Sequence, residues 1–162
     1  MIKLFSWVIQ KKIVNQNKEN YIIVSKWIGR NVICVKESDR VKKNYNNRES
    51  YENELKWVKL LPDDITPVLI SFNDEKLEII ESYCGLKASF IKLPEDYLTQ
   101  LNNIKSSMKK YNCDGCDCEI VCNESGKIKI IDFSGFSEGE FSWGRYKKVI
   151  DNGQIKHKTK KT

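Results

Sequence analysis

Short runs of alternating apolar and polar residues fill the first third of the chain. Three such runs, "IKLFSWVI", "YIIVSKW" and "NVICVK", are separated by the polar stretch "NQNKEN" and by a tight turn at residues 28–30. A period near two is typical of strands that cover one side of a core. The pattern therefore predicts three antiparallel strands, with "NQNKEN" as the loop of the first hairpin.

A helical period follows, after a predicted charged linker at residues 38–47. In "RESYENELKWVKLL", apolar residues at positions 51, 55, 58 and 60 or 61 recur at the spacing of an amphipathic helix, which Pro62 ends. "ITPVLISF" and "LEIIESY" then predict a second pair of strands about the turn "NDEK".

The second half of the chain begins with another predicted helix. It starts at Pro94 and ends near Lys109 and Lys110, as the helix dipole favours. The cysteine-rich loop "NCDGCDC" follows, and "EIVC" and "KIKIID" then form a hairpin about "NESG". This order predicts an α+β fold in which an antiparallel sheet and helices are segregated into two lobes.

Length and composition are compatible with that layout. The 162 residues, 40% of them apolar, can form one domain or two small lobes that share a cleft. No run of about 18 apolar residues occurs, and no cleavage site follows the short apolar stretch at the start. We therefore expect no membrane association, a cytoplasmic location and reduced cysteines.

The net charge of +6 is concentrated at one end of the chain. Residues 147–162, the Lys-rich tail, hold six lysines against one aspartate, which leaves the remaining body near +1. No aromatic residue lies between these lysines, so we expect a flexible basic tail that contacts nucleic acid only weakly. The abundance of Lys, Asn and Ile is typical of AT-rich genomes, such as those of some protists or large DNA viruses.

Five short motifs occur in a characteristic order between residues 13 and 135. They are "VICVK" ending at Lys36, "ENELKWVKLL" with Glu54, "ESYCG" at 81–85, "DGCDCEIVC" from Asp114, and "IDFSG" with Asp132. Lys36 precedes Glu54 by 18 residues, and Asp114 precedes Asp132 by 18. In this order the chain resembles the protein-kinase-like fold, including its atypical relatives that phosphorylate small molecules and sugars.

The resemblance implies a nucleotide site. Lys36 would contact the α- and β-phosphates of ATP and form an ion pair with Glu54, because a carboxylate on the apolar face of a helix needs a partner. Glu81 and Tyr83 would belong to the hinge that presents backbone groups to adenine. The chain would then divide into an N-lobe at 1–85, a reduced C-lobe at 86–146 and the Lys-rich tail.

The resemblance also implies a catalytic and a metal site. Asp114 would orient or deprotonate the acceptor hydroxyl. Asp132 and Glu119 would bind Mg²⁺, or Mn²⁺ in its place. Two carboxylates around one site repel each other without a cation, so we expect nucleotide affinity to depend on the metal.

Several positions depart from the family pattern. Glu119 stands where the family has Asn, "NCD" replaces H-R-D, "NQNKEN" contains no glycine, and 30 residues follow Asp132. The short end leaves no room for a peptide platform, so either the acceptor is small, or a protein partner completes the lobe, or nothing is phosphorylated. A compact phosphotransferase, a pseudokinase that serves as a binding or assembly module, and an α+β domain without nucleotide all stay open.

The cysteines suggest a rival interpretation. Positions 113, 116, 118 and 122 form C-x₂-C-x-C-x₃-C, whose first pair has the spacing of a zinc knuckle. Four thiolates within ten residues are cramped for a structural zinc, and Cys122 fits a buried strand position. We therefore expect all six cysteines to be reduced and free of metal, and the single histidine, His157, to be solvated.

Overall fold

The computed structural model of the chain describes residues 7–9, 24–88, 91–114 and 118–139. The predicted loop "NQNKEN" and the Lys-rich tail lie outside the described residues. Within them the fold is α+β, with antiparallel sheets and few helices, as the sequence predicts. The elements in chain order are β1 (Trp7–Ile9), β2 (Val24–Ile28), β3 (Val32–Glu37), β4 (Arg40–Tyr45), α1 (Arg48–Leu60), β5 (Leu69–Asn73), β6 (Glu78–Ser82), β7 (Leu86–Lys87), α2 (Tyr97–Lys110), β8 (Cys113–Asp114), β9 (Glu119–Cys122), β10 (Ile128–Ile131) and β11 (Ser137–Glu138).

The chain divides into two compact units. The first comprises Met1–Tyr51 and Val68–Tyr83, and the second comprises Glu52–Pro67 and Cys84–Thr162. Helix α1 begins in the first unit and continues in the second. The functional lobes proposed from the sequence, with their boundary after residue 85, stay a prediction. Neither α1 nor α2 is long and apolar enough to cross a membrane, and they are the helices of the described residues.

The first unit is built on a six-stranded antiparallel sheet in the order β1-β2-β3-β4-β6-β5. Strand β4 occupies much of the stretch that the sequence analysis assigns to a charged linker, and that assignment is wrong. Val41, Lys43 and Tyr45 alternate toward the buried side of the sheet, whereas Lys42 and Asn44 are half-exposed. The strand was missed because a lysine, not an apolar residue, occupies its central buried position.

Helix α1 begins where the chain leaves this sheet. The side-chain oxygen of Asn47 accepts a hydrogen bond from the backbone N–H of Ser50 at 2.8 Å, which satisfies one of the free donors of the first turn. The later part of the helix belongs to the second unit and buries Leu55, Trp57 and Val58 there.

The second unit contains a three-stranded sheet, β10-β9-β7, and the two-stranded sheet β11-β8. Helix α2 packs against β10 and β8 through a buried face of Tyr97, Leu101, Ile104 and Met108. The backbone N–H of Ile130 donates to the carbonyl of Ile65 at 2.8 Å, so the segment after α1 is attached to β10.

A close approach of two backbones joins β7 to this sheet. Gly85 has φ +111°, and a Cβ at this position would lie 2.1 Å from the carbonyl oxygen of Cys122. Only glycine can occupy this position without displacing β9, because any other residue would add both the clash and the left-handed backbone strain.

Candidate functional site

Lys36 and Tyr83, two residues predicted for the nucleotide site, lie together in the first unit. The Nζ of Lys36 is 4.3 Å from the centroid of the Tyr83 ring, which is a cation–π contact. The lysine is half-buried on β3, and the tyrosine follows the end of β6. The aromatic ring holds the ammonium group against the sheet without neutralising its charge.

A buried ion pair lies in the same unit. The Nζ of Lys43 is 2.7 Å from Oε1 of Glu81, and their side chains are 8% and 3% exposed. The second carboxylate oxygen of Glu81 is buried and has no hydrogen-bond partner among the described residues. Glu81 was predicted to belong to the hinge that contacts the nucleotide. In the structure its side chain forms an ion pair with Lys43.

The two lysines share one face of the sheet. Lys36 lies opposite Val41, which lies opposite Glu81, and in the next row Cys34 lies opposite Lys43. Directly opposed residues point to the same side of a sheet. Two ammonium groups and one carboxylate therefore occupy one face. Because Glu81 neutralises Lys43, Lys36 supplies the charge that can attract an anion such as a phosphate.

Sequence reasoning missed Lys43. The signal that could have found it is the alternation of Val41, Lys43 and Tyr45 immediately before helix α1. A lysine that is buried in such a row must find an anionic partner, because an unpaired buried charge is strongly unfavourable.

The backbone of the predicted hinge is partly engaged within the first unit. The N–H of Tyr83 donates to the carbonyl of Asp39 at 2.7 Å, and the N–H of Ser82 donates to the carbonyl of Val68 at 3.0 Å. These two donors are occupied. The predicted contact of the hinge with adenine stays a prediction.

Glu54 is fully buried on α1, in the second unit. Its placement agrees with the expectation that this carboxylate points into the protein and not into solvent. The ion pair proposed for it with Lys36 joins residues of different units and stays a prediction.

Asp132 lies immediately after β10 in a conformation that L-residues rarely adopt. Its φ is +72°, and its Oδ1 accepts a hydrogen bond from the hydroxyl of Ser134 at 3.3 Å. A non-glycine residue in this region carries a strain of about 1–2 kcal/mol. Ser38, Leu77 and Asn112 share this backbone region, so what distinguishes Asp132 is that the strain coincides with a carboxylate at the end of a strand, a combination found at functional sites.

Asn53, one position before Glu54 on α1, fastens the turn that follows Asp132. Its side-chain amide donates to the carbonyl oxygens of Phe133, Ser134 and Phe136 at 3.3, 3.0 and 2.7 Å. Sequence reasoning missed this residue. The available signal was the asparagine itself, because its side chain competes with the backbone inside a helix and usually has a partner there.

The other two predicted acids reach the same region through strand pairing. Glu119 lies opposite Ile131, the residue before Asp132, in the β9–β10 hairpin. Asp114 lies opposite Ser137 in the β8–β11 pair. The backbone positions of Glu119 and Asp114 therefore flank the segment that starts at Asp132.

The donor set can be compared with what Mg²⁺ requires. Among the described residues no group of three or more His, Cys, Asp or Glu side chains could hold a metal ion. Mg²⁺ is usually bound by one or two carboxylates together with substrate phosphates and water, so Asp132 fits this role. Glu119 fits it less well, because its Oε1 lies 3.4 Å from Nζ of Lys87.

The cysteines near Asp114 are poor candidates for metal thiolates in their present environment. Burial, and then the charge of Asp114, raises the pKa of the Cys113 thiol to about 12, although Lys56 acts in the opposite direction. Burial likewise raises the pKa of Cys122. None of the five described cysteines, at positions 34, 84, 113, 118 and 122, is disulfide-bonded, and Cys116 lies outside the described residues. The absence of zinc stays a prediction.

Comparison with known proteins gives a likeness of fold. No protein-family model matches the chain, and no curated protein sequence matches it. Solved structures that resemble it include three of WbdD. A co-crystal structure of WbdD with the kinase inhibitor LY294002 is 12% identical and has a TM-score of 0.50, covering 75% of this chain and 34% of that one.

The other two WbdD structures agree. A high-resolution crystal structure is 13% identical with a TM-score of 0.50, covering 67% of this chain and 31% of that one. A structure described as the bifunctional kinase-methyltransferase WbdD is 11% identical with a TM-score of 0.51, covering 78% of this chain and 34% of that one. The chain spans about a third of the length of these structures. At this identity the likeness concerns the fold alone, and it supports the predicted kinase-like fold.

Proposed function

We propose that the chain is a kinase-like phosphotransferase, which binds ATP with Mg²⁺ and transfers the γ-phosphate to a hydroxyl acceptor. The observation that carries this proposal is Asp132, a carboxylate at the end of a strand in a strained backbone conformation that several contacts hold. The fold likeness to a protein described as a kinase-methyltransferase supports the same class. That description names two activities, kinase and methyltransferase. The order of strands and helices around the five motifs favours the kinase activity.

The residues divide the work of the reaction between them. Phosphoryl transfer requires mainly that phosphates be positioned and that their charge be neutralised. Lys36 would supply positive charge for the phosphates, whereas Lys43, on the same face of the sheet, is paired with Glu81. Asp132, with Glu119 opposite the preceding residue Ile131, would hold Mg²⁺, whose charge stabilises the transferring group.

Asp114 would bind the acceptor. Its carboxylate is half-buried on β8, where it can accept the proton of a hydroxyl group or fix its orientation. The acceptor would be a small molecule or a protein.

One observation favours the second candidate, a pseudokinase that acts as a binding or assembly module. The ammonium group of Lys87 lies 3.4 Å from a carboxylate oxygen of Glu119, and the N–H of Tyr83 donates a hydrogen bond to the backbone carbonyl of Asp39. Both groups were assigned to ligand binding from the sequence. A module without turnover would tolerate such internal contacts.

Isothermal titration of the folded protein with ATP, in the presence and absence of Mg²⁺, tests the proposal. We expect metal-dependent binding that Asp132→Asn abolishes together with phosphoryl transfer. Asp114→Asn should keep binding and lower turnover by about 10²–10⁴-fold. The matched control is Asp64→Asn, an exposed aspartate that should change neither quantity.

Two outcomes decide against the enzyme. Absence of ATP binding at millimolar nucleotide with either Mg²⁺ or Mn²⁺ would remove the nucleotide proposal. Metal-dependent binding without turnover toward any hydroxyl acceptor, including water, would select the pseudokinase module.

A further inference from the structure

One side-chain amide of helix α1 contacts three backbone carbonyl oxygens in the turn after Asp132. The two N–H bonds of Asn53 face the carbonyl oxygens of Phe133, Ser134 and Phe136, and the shortest distance, 2.7 Å, is to Phe136. An amide group has two hydrogens, so three acceptors share them. The contact therefore fixes a whole turn of backbone and not a single carbonyl.

We propose that Asn53 is the positioning residue for Asp132. By holding the carbonyls of the turn, it keeps Asp132 in its left-handed conformation and thereby determines where the carboxylate points. The consequence for metal-dependent binding rests on the proposed function, whereas the contact itself does not.

The residues on either side of Asp132 are both fixed. Before it, Ile131 pairs with Glu119 in the β9–β10 ladder. After it, Phe133 is fully buried, and its ring is 4.9 Å from that of Phe136 in an edge-to-face arrangement. Asn53 adds hydrogen bonds to these apolar contacts, because buried carbonyl groups need donors.

The apolar contacts alone do not specify the backbone conformation. The rings of Trp57, Phe133 and Phe136 form a buried cluster, in which Trp57 and Phe136 are 6.1 Å apart. Ring packing is non-directional compared with a set of hydrogen bonds, and it tolerates rotation of the intervening peptides. The carbonyl directions are therefore set by the Asn53 donors, together with the hydrogen bond that the N–H of Phe136 donates to the carbonyl of Phe133 at 3.0 Å.

The test compares Asn53→Asp with Asn53→Gln. Aspartate has the shape of asparagine but lacks the N–H donors, and it brings a negative charge toward three carbonyl oxygens. Glutamine keeps the amide and adds one methylene. The matched control is Asn103→Asp on the exposed side of α2, which makes the same charge change on a helix away from the turn.

Two measurements are made on the full chain. The first is amide hydrogen exchange without nucleotide, in which we expect the N–H of Phe136 to exchange about tenfold faster in Asn53→Asp. The second is ATP affinity as a function of Mg²⁺ concentration. Loss of a residue that orients a metal ligand typically weakens metal binding by about 10–100-fold, so the metal-dependent part of the ATP affinity should fall by that factor. ATP affinity without metal should not change, and Asn53→Gln should restore part of the loss.

The outcomes separate this inference from the proposed function. If the natural chain binds no ATP, the proposed function fails, while hydrogen exchange still decides whether Asn53 holds the turn. If folded Asn53→Asp matches the natural chain in both exchange and metal dependence, the positioning role is overturned. Equal losses with and without metal would also overturn it, because they indicate general disturbance. If the aspartate variant does not fold, the neutral and smaller Asn53→Ser is compared by the same two measurements.

Discussion

Asp132 combines a charged side chain with a backbone conformation that glycine adopts more easily. The side chain has a hydrogen bond from Ser134, but nothing in that bond requires φ +72°. Asparagine and aspartate tolerate this region better than other side chains, but only glycine adopts it without strain. The position therefore carries a conflict between local stability and the chemistry of a carboxylate, as is common at functional sites.

Replacement of Asp132 by glycine should separate these two properties. We expect Asp132→Gly to raise the free energy of unfolding by up to about 1 kcal/mol, because the left-handed strain is relieved, partly offset by the greater freedom of glycine in the unfolded chain. Metal-dependent ATP binding should be lost. Urea denaturation measures the first effect and titration calorimetry the second.

Ser38→Gly is the control for this prediction. Ser38 has φ +56° in an exposed turn of the first unit, so its replacement should give a similar gain in stability and leave ATP binding unchanged. A marked loss of stability in Asp132→Gly would contradict the prediction, since it would mean that the carboxylate stabilises the folded state.

The residues of the site differ in how far the sequence could predict them. Asp132, Glu119 and Asp114 were predicted from motifs in a characteristic order. Strand pairing brings the backbone of Glu119 and Asp114 to the segment that starts at Asp132, and their roles stay predictions. Asn53 and Lys43 were missed because each acts through a partner distant in sequence. Neither the three carbonyls nor the carboxylate of Glu81 can be inferred from the residues that surround them in the chain.

At the scale of the elements, strand β4 is the main difference between prediction and structure. Its sequence "RVKKNY" has three cationic residues and low apolar content, which indicates a solvated linker. In the sheet it lies between β3 and β6 and pairs along its length with both. The alternation of Val41, Lys43 and Tyr45 is the local signal of this strand, and it was missed because a lysine that pairs with Glu81 of β6 occupies the central buried position. The apolar strands and both helices were predicted.

The Lys43–Glu81 pair connects β4 to β6, and its removal should have a large effect. Lys43→Met or Glu81→Leu alone should lower the free energy of unfolding by about 3–5 kcal/mol, because each removes one partner of a buried ion pair. The double variant should recover most of this loss, since two apolar side chains then fill the same space. Denaturant unfolding of the four proteins gives the coupling energy.

The same strands provide a matched control. Lys42 and Glu78 form an ion pair of 3.6 Å on the more exposed side of the sheet, with side chains 41% and 20% exposed. Breaking this pair by Lys42→Met should cost less than about 1 kcal/mol. Similar losses for the two pairs would contradict the assignment of the Lys43–Glu81 pair as a buried one.

At the scale of the whole molecule, the arrangement of the charge suggests how the chain meets polyanions. The Lys-rich tail carries most of the net charge of +6, and the body is nearly neutral. Such a distribution produces weak, salt-dependent attraction without a shaped binding surface.

Removal of residues 147–162 should therefore abolish retention on heparin at low salt and leave ATP binding unchanged. The physical reason is that each neutralised anionic group releases a counterion, so affinity follows the number of lysines. Elution salt concentration measures the effect. If the shortened chain elutes at the same salt concentration, a basic surface on the body and not the tail is responsible.

The close backbone contact between Gly85 and the carbonyl of Cys122 has a consequence for recognising related chains. Motifs of a nucleotide site can fade when activity is lost, because selection no longer acts on them. A position that admits no side chain for reasons of space is under a different constraint, since its replacement forces two strands apart. We therefore expect the glycine just before β7, Gly85 in this chain, to persist in related proteins whether or not they still bind a nucleotide. Such a glycine would mark common ancestry independently of function.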